Sequence, residues 1–380
     1  MPRLPADGVT ASLIGRLGRT AIALLLAAVL TTALAQPADV EFGYLEGRIV
    51  DLVDRPEPPD GALVQLPDGR VVAADLPFPD PDGGFEVPPY RAGERVELYF
   101  APGPEGTRQY VVSDWVRRPA LAWLLGLFAV ASFLVAGFKG LRAVAATGVS
   151  LGIVVAFIVP RILGGWDPVL VSLVGVGGIL LLAIYFVHGV SWSTTAALVG
   201  TFAAVAVTMV LGIGFSDGAR LTGLGTEDAM FLLASAPQVA LRGLLLAGLL
   251  IGALGALTDI TIVQASVVRE LAHTDPTLGL RELYRRGMNV GRDHVGSLVN
   301  TLVLAYTGSG LSLLILLNVN DVSLARALNL ELVASEVVHT LVGSVGLILA
   351  VPITTGLAAW WFRGDRLPLK PGELQHAHHH

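Results

Sequence analysis

The chain has 380 residues, of which 53% are hydrophobic, and its mean hydropathy is +0.67. This composition excludes an ordinary soluble protein and indicates several membrane-spanning segments. The absence of cysteine excludes disulfides, thiolate metal sites and cysteine nucleophiles. The net charge of −6 is uneven, because residues 39–114 hold 16 acidic and 6 basic side chains and the rest of the chain has a balance of +4. Neither part predicts nucleic-acid binding.

The first 35 residues have the pattern of a secretory signal peptide. Three arginines make a basic start, the run AIALLLAAVL forms an apolar centre, and Ala-Leu-Ala at positions 33–35 provides a small-residue cleavage site. An uncleaved anchor helix is the alternative interpretation. The apolar centre is short for a membrane span, so the pattern favours cleavage.

Residues 39–113 change in character, because proline, glycine and aspartate become frequent between short runs of alternating polarity. Asp-Gly turns between such runs are typical of β-hairpins. The segment predicts a small extracytoplasmic β domain, an OB-like barrel or a sandwich. Its carboxylates lack the spacing of a ligand loop, so a solvated acidic surface is predicted and no metal site. The predicted strands cover residues 44–53, 62–66, 70–75, 95–100 and 110–115.

Residues 119–362 predict a membrane domain of seven helices, because apolar runs of about twenty residues recur, each long enough to cross a bilayer. Basic residues concentrate near Lys139, between residues 266 and 294, and in the tail at 363–380. The positive-inside rule then predicts an outside β domain and a cytoplasmic C-terminal tail. The fold class is a mainly α membrane protein preceded by a small β domain. The predicted spans are 120–138, 141–159, 168–187, 194–214, 239–263, 297–317 and 337–361.

Two connectors are predicted to contain helices outside the spans. In the 215–238 connector, Thr226 is followed by two acids, which is typical of the N-terminus of a short helix. In the 266–294 connector, Thr274 or Asp275 is predicted to cap a basic helix with apolar residues on one side. Such a helix is expected to lie in the plane of the membrane interface. Its apolar side consists of Leu280, Leu283, Tyr284 and Met288.

Small residues and one acid share a stripe of the fifth predicted span. Their spacings of four, three and four residues place them on one narrow face of a helix, where small residues let another helix approach closely. An acid inside an apolar span is costly and needs a reason. Asp259 is therefore predicted to lie on a packed face and to have a functional role. The stripe consists of Gly248, Gly252, Gly255 and Asp259.

The sixth predicted span has a matching stripe, which begins with Asp293, continues with Gly296 and Asn300, and is followed by Thr301. Asn300 lies seven residues beyond Asp293, about 10 Å along a helix. Asp259 lies near the inner end of its own span, so it is predicted to meet Asn300 at a similar depth. Asp293 has a second interpretation, in which it only caps a helix at the inner surface.

The last predicted span repeats the pattern near its outer end. Its stripe contains Glu336, His339, Gly343 and Gly346, and Arg242 at the start of the fifth span is the predicted partner of Glu336. Glu336 and His339 are assigned, together with Asp259, Asp293, Asn300 and Thr301, to a polar path for binding or transport through the membrane domain. The glycines of all three stripes are assigned to helix packing. The alternative for Glu336 is an interface ion pair with Arg242 and no further role.

Three segments resemble the YibE/F-like family of bacterial multipass membrane proteins. They are GALGALTDI at 252–260, GRDHVGSLVNTLVLAYTGS at 291–309 and EVVHTLVGSVGLILAVPITT at 336–355. The resemblance extends from about Tyr90 to Phe362. It implies a multipass protein of the bacterial cytoplasmic (inner) membrane and a role in transport, and it supplies no catalytic residues.

Transport by a carrier or a channel is the primary hypothesis, with a proton or cation path lined by the fifth to seventh spans. One alternative is a non-transporting assembly factor whose acidic β domain binds an extracytoplasmic partner. Another is an intramembrane aspartyl hydrolase that pairs Asp259 with Asp293, although the flanking motifs LTD and GRD are not those expected of such proteases. No cofactor is predicted. The lipid bilayer is the expected partner, with a second copy of the chain or an extracytoplasmic protein as open alternatives.

Overall fold

The computed structural model describes residues 42–53, 61–77, 90–103 and 107–363. The predicted signal peptide at 1–35 lies outside these residues, as does the tail from residue 364 onward. The chain divides into two compact units, one formed by residues 31–137 and the other including all residues from Phe138 on. Each unit is described by itself.

The first unit contains a closed barrel of five strands, which confirms the predicted small β-barrel. The strands are β1 (Gly43–Val53), β2 (Gly61–Gln65), β3 (Val71–Asp75), β4 (Arg95–Pro102) and β5 (Arg108–Trp115). Their order around the barrel is β1-β2-β3-β5-β4. The long strand β1 pairs antiparallel with both β2 and β4, and the parallel pairing of β3 with β5 closes the barrel.

The barrel interior follows from the alternating polarity of the strands, since successive side chains point to opposite faces. Val64, Val96 and Leu98 are fully buried inside it. Tyr90 stacks on Trp115 with 4.3 Å between the ring centroids. None of the acidic side chains that the structure describes in this unit is buried in that apolar core.

Ten helices follow the barrel within the described residues. They are α1 (Arg118–Ala136), α2 (Phe138–Leu163, with a π turn at Val154–Ile158), α3 (Pro168–His188), α4 (Trp192–Gly218), α5 (Glu227–Ser235), α6 (Leu241–Thr274), α7 (Leu280–Ser309), α8 (Leu311–Val319), α9 (Leu324–Ala327) and α10 (Glu331–Phe362). Six of them are long and apolar enough to cross a membrane, and α7 with α8 makes a seventh if this bent pair is one span. The helices are compatible with an integral membrane protein.

Local sequence signals set several helix starts. Asp167 Oδ1 accepts a hydrogen bond from Leu170 N at 2.9 Å, and Pro168 fits the first turn of α3. Ser191 and Thr194 form a reciprocal capping box at the start of α4. Thr226 accepts from Ala229 N at 3.1 Å, which confirms the predicted cap of the short helix α5.

The predicted sixth span at 297–317 is bent in the structure, because α7 and α8 meet at Gly310 at an angle of 58°. The break falls in the sequence Thr307-Gly308-Ser309-Gly310. Glycine and serine favour the helix weakly, so a bend costs less there than within the apolar run.

The predicted basic helix is not a separate element capped by Thr274 or Asp275, because α6 ends at Thr274 and the next helix begins at Leu280. Gly279 precedes α7, which runs from Leu280 without interruption into the apolar segment. Leu283 is fully buried, and Gly287 lies against Val268 of α6 and Thr355 of α10, whereas Leu280 and Tyr284 of the predicted apolar side remain exposed. Asp293 therefore lies in the middle of a helix and does not cap one.

The second unit is built around α4, α6 and α10, which pack together in its centre, with α3 and α7 against α6. Leu257, Ile260 and Leu347 are fully buried at this centre. Burial of such side chains contributes about 1.5–3 kcal/mol each relative to exposure in water. The face that each helix turns outward is consequently decided by where its bulky apolar residues lie.

Candidate functional site

The face of α6 that carries Asp259 is open. Gly248, Gly252, Gly255 and Asp259 are all exposed, and we call these four residues the open stripe. This corrects the prediction that the stripe lies on a packed face. The larger apolar residues of α6, among them Leu257, occupy the packed side because they bury more surface than glycines do.

Helix α7 also presents polar groups on an exposed surface. Asp293, Gly296, Asn300 and Thr301 are all exposed. The Thr301 hydroxyl donates to the carbonyl of Ser297 at 3.0 Å, so it is satisfied within its own helix. Asp293 and Asn300 have no comparable hydrogen bond among the described residues. They are free to meet water, an ion or another chain.

Two contacts fix the register of α7 against α6. The Tyr306 hydroxyl lies against Gly252, and Gln264 Nε2 donates to the carbonyl of Gly287 at 2.8 Å. In an antiparallel pair, these contacts place Asp259 near Gly296, about one turn from Asn300. The similar depth of the two polar residues thus agrees with the register. Within the described part of the chain, no hydrogen bond joins Asp259 to Asn300.

A second polar cluster lies at the end of the bundle that holds Tyr306 and Glu336, which we call the acidic end. Glu336 is exposed and close enough to the Tyr306 hydroxyl to act on it electrostatically. His339 is half-buried against the backbone of Leu245. Its Nε2 is buried and has no hydrogen-bond partner in the described part of the chain. Glu336 and His339 therefore lie near the same end of α10, but no hydrogen bond joins them within the described residues.

The predicted ion pair between Glu336 and Arg242 is wrong. Arg242 pairs with Asp217 at the end of α4. Both side chains are about half exposed, at 48% for Arg242 and 52% for Asp217. The sequence does not reveal this partner, because Asp217 lies in a different helix and has no fixed spacing from Arg242.

The six glycines assigned to helix packing divide into two groups. Gly343 lies 3.6–3.7 Å from Leu302 and Ala253, measured from the Cβ position it lacks, and Gly346 lies against the Thr208 hydroxyl. Gly252 meets only Tyr306. At Gly248, Gly255 and Gly296, no atom of another described segment lies within 4 Å of that position. Within the described part of the chain, these last three glycines therefore have no packing role.

The buried interior contains a polar network that sequence reasoning missed. Gln264 is 1% exposed, and its Nε2 donates to the Gly287 carbonyl and, at 2.7 Å, to the Thr355 hydroxyl. The hydroxyls of Thr201 and Thr261 lie 2.6 Å apart. These bonds link α4, α6, α7 and α10. The sequence signal for this network was the presence of polar residues inside apolar spans. The spacing of such residues along the chain does not show which of them face each other.

A cavity of about 290 Å³ lies at the end of the bundle opposite the acidic end. It is bounded by the end of α3, the start of α4 and one face of α6, and its lining includes Lys139, His188 and Arg269. We call this end of the bundle the basic end. His188 lies within electrostatic reach of both Lys139 and Asp259.

The described residues contain no group of three His, Cys, Asp or Glu side chains that could hold a metal ion. Among them, Asp259 and Asp293 also share no hydrogen bond. The described residues therefore offer polar groups on apolar helices, with the carboxylate of Asp259 near the basic end and that of Glu336 at the acidic end.

Comparison with known proteins adds one finding. A family model described as YibE/F-like protein matches residues 124–364. Searches of curated proteins and of solved structures gave no match. The matched region includes all of the second unit from Phe138 to Arg363 and more than half of the chain, so the chain belongs to the YibE/F-like family.

Proposed function

We propose that this protein is a multipass transporter or channel of the bacterial cytoplasmic membrane, with a proton- or cation-linked path along α6, α7 and α10. The observation that carries the proposal is the open stripe ending at Asp259. Charged and amide groups at membrane depth are costly when they face lipid, and they mark ion pathways when they line water. If the open stripe served only for helix packing, an apolar residue in place of Asp259 would fill that role at a lower free-energy cost.

The polar groups are distributed along the length of the bundle. Asp259 and Gly252 are seven residues apart on α6, about 10 Å along the helix axis. Gly252 contacts Tyr306, and Tyr306 is near Glu336 at the acidic end. The carboxylates of Asp259 and Glu336 are thus separated by the Tyr306 hydroxyl and by two glycines, Gly252 and Gly255. Such a series of groups offers successive binding positions for a proton or a small cation.

The orientation belongs to the same proposal. Lys139, Arg269 and the arginines at 281–292 all lie at or near the basic end, and the positive-inside rule assigns that end to the cytoplasm. The β domain, with an OB-like barrel, would then be outside and the C-terminus inside. Protease added to intact cells should cleave in the 39–113 region and spare the 266–294 connector.

A single chain leaves the path open on one side, and we propose that a second copy closes it. Among the described residues, no other segment comes within 4 Å of the missing Cβ positions of the glycines at 248, 255 and 296, although small residues allow close helix approach. A two-fold axis brings the same patch of two chains together and removes their polar groups from lipid. Because the natural chain has no cysteine, Gly248→Cys should give a disulfide-linked dimer in membranes. Val174→Cys on the exposed face of α3 is the control and should remain monomeric.

The transport test is proton or cation flux in vesicles reconstituted with wild type and with Asp259→Asn. The amide has nearly the shape of the carboxylate but cannot bind a proton or carry a charge, so flux should be abolished while folding is kept. Asp321→Asn is the matched control. It removes the same charge from an exposed turn at φ 50°, a conformation that asparagine tolerates, and should leave flux unchanged.

Two results would count against the transport proposal. Wild-type flux in a folded Asp259→Asn variant would remove Asp259 from the path. Absence of flux in wild type for protons and for each cation tested would remove the transport activity itself. Melting temperatures of both variants, recorded in the same detergent, separate loss of function from loss of fold.

One observation favours a second candidate function, that of an assembly factor with an extracytoplasmic partner. Aromatic side chains lie on the outside of the barrel, where Phe42 is 58% and Tyr44 is 61% exposed and Tyr44 contacts Tyr99 at 5.5 Å between ring centroids. Exposed aromatic residues often mark binding surfaces. For a non-transporting assembly factor, changing Phe42 and Tyr44 to serine should abolish crosslinking of the β domain to an extracytoplasmic protein in intact cells, while the variant stays folded. Crosslinking equal to wild type in the folded variant would contradict this second function.

A further inference from the structure

We infer that the cavity at the basic end binds a phosphate-type anion, either the headgroup of an anionic lipid or a free phosphate compound. The inference rests on the groups that converge on this cavity, and it goes beyond the proposed cation path. Lys139 comes from the start of α2, His188 from the end of α3, and Arg269 from α6. Neither Lys139 nor Arg269 forms an ion pair within the described residues.

Hydroxyl groups complete the lining. Ser191, Ser193 and Thr194 lie at the first turn of α4, where the helix dipole adds partial positive charge. Ser191 and Thr194 already bond each other in the capping box. Ser193 is 3% exposed, yet none of the described residues offers its hydroxyl a hydrogen bond. Because Ser193 lines the cavity, its hydroxyl is available to donate a hydrogen bond to an anion oxygen bound there.

The volume limits the size of the ligand. A cavity of about 290 Å³ lies at the lower edge of the range for small-molecule sites, which begins near 300 Å³. It accommodates a phosphate-containing group but not an acyl chain. Basic pockets between membrane helices on the cytoplasmic side are known to hold anionic headgroups. A lipid would therefore place only its headgroup here, with its chains along the exposed helices.

Asp259 is an acidic residue near the site. It lies one turn of α6 before the lining residue Ile262 and is within electrostatic reach of His188. Its negative charge opposes that of the anion. Asp259→Asn should therefore tighten anion binding, although the same change is expected to abolish flux. The two proposals thus make separate predictions and fail separately.

The experiment uses the full chain, purified in neutral detergent, in two arms. One arm measures equilibrium binding of radiolabelled inorganic phosphate against a chloride background. The other counts phosphatidylglycerol retained from phosphatidylcholine–phosphatidylglycerol nanodiscs by native mass spectrometry. Saturable binding in the first arm identifies a free anion, and binding in the second arm alone identifies a lipid headgroup. Absence of saturable binding in both arms would overturn the inference.

Variants locate the binding. The double change Lys139→Gln and Arg269→Gln should weaken binding about 30-fold, the loss that two basic residues beside an anionic headgroup account for. The matched control, Arg142→Gln with Arg292→Gln, removes two exposed charges that do not line the cavity. It should leave binding unchanged, and an equal loss in the control would mean that binding is nonspecific.

Ser193→Ala provides a test that does not depend on the charged pair, in case the double variant fails to fold. Loss of a hydrogen bond to a charged group corresponds to a loss of about tenfold in affinity. The substitution removes one oxygen and no charge, so the fold should be kept. Wild-type affinity in Ser193→Ala, together with no tightening in Asp259→Asn, would refute the site.

Discussion

The buried Gln264 offers the sharpest test of the packing between α6, α7 and α10. Its Nε2 donates to the Gly287 carbonyl at 2.8 Å and to the Thr355 hydroxyl at 2.7 Å. Gln264→Leu removes both bonds and keeps a side chain of similar size. Both partners stay satisfied, because the Gly287 carbonyl lies within helix α7 and Thr355 donates to Val351 at 2.6 Å. The substitution therefore leaves neither the Gly287 carbonyl nor the Thr355 hydroxyl without a hydrogen-bond partner.

The expected loss follows from these two bonds. Each hydrogen bond contributes about 0.5–1.5 kcal/mol in proteins, and those between membrane helices average about 0.6 kcal/mol. Gln264→Leu should therefore lower the free energy of unfolding by about 1–2 kcal/mol. Unfolding is followed by tryptophan fluorescence during titration with sodium dodecyl sulfate. The stacked pair Trp192 and Trp361, with 4.1 Å between ring centroids, reports on the fold of the bundle.

A matched control and a double variant complete this test. Thr147→Val removes one hydroxyl that donates to the carbonyl of Ala143 on an exposed face, and it should change stability by less than about 0.5 kcal/mol. In the double-mutant cycle with Thr355→Val, the coupling to Gln264 should be about 0.5–1 kcal/mol. A Gln264→Leu variant as stable as wild type would refute the network. A loss above about 4 kcal/mol would show that the partners are not satisfied as described.

Two further predictions use the same titration. Glu336→Gln should change the free energy of unfolding by less than about 0.5 kcal/mol, because Arg242 pairs with Asp217 instead; recovery of stability after exchanging Glu336 and Arg242 would contradict this. Gly346→Ala should cost about 1–3 kcal/mol, because the added methyl group would overlap the Thr208 hydroxyl. The further change Thr208→Ala should restore part of that loss, and no restoration would mean that the two residues do not meet.

The open stripe supplies the control for the glycine prediction. Gly255→Ala adds the same methyl group at a position without any neighbouring atom within 4 Å, so its cost should be less than about 0.5 kcal/mol. If a second copy of the chain covers this surface, Gly255→Ala should still weaken the crosslink formed through Gly248→Cys. Stability and association are then separated by a single pair of variants.

Periodicity and length alone located most of the secondary structure. The alternating runs gave five strands close to their observed bounds, because side chains on the two faces of a barrel wall meet different environments. Apolar runs of membrane length predicted the long helices, and Thr226 predicted the start of α5. These features depend on interactions within one segment, so one segment of sequence suffices to predict them.

The family resemblance was likewise readable from three segments, and the match over residues 124–364 confirms it. The failures in the same region have local causes. The sixth span bends at Gly310, where helix propensity is low, and the basic stretch from Leu280 packs into the bundle rather than lying at an interface. The basic residues of this stretch predicted a helix at the membrane interface, but the side chain of Leu283 is buried in the bundle.

Only the tertiary structure decided which polar residues meet. The sequence identified Asp259, Asn300 and Glu336 as polar groups within apolar helices, but the rotation of each helix depends on all of its neighbours at once. Packing of bulky residues at the centre turned the open stripe outward, joined Arg242 to Asp217 and brought His188 toward Lys139. Contacts between distant segments leave no periodic signal in a single chain, which is why the cavity at the basic end could not be predicted.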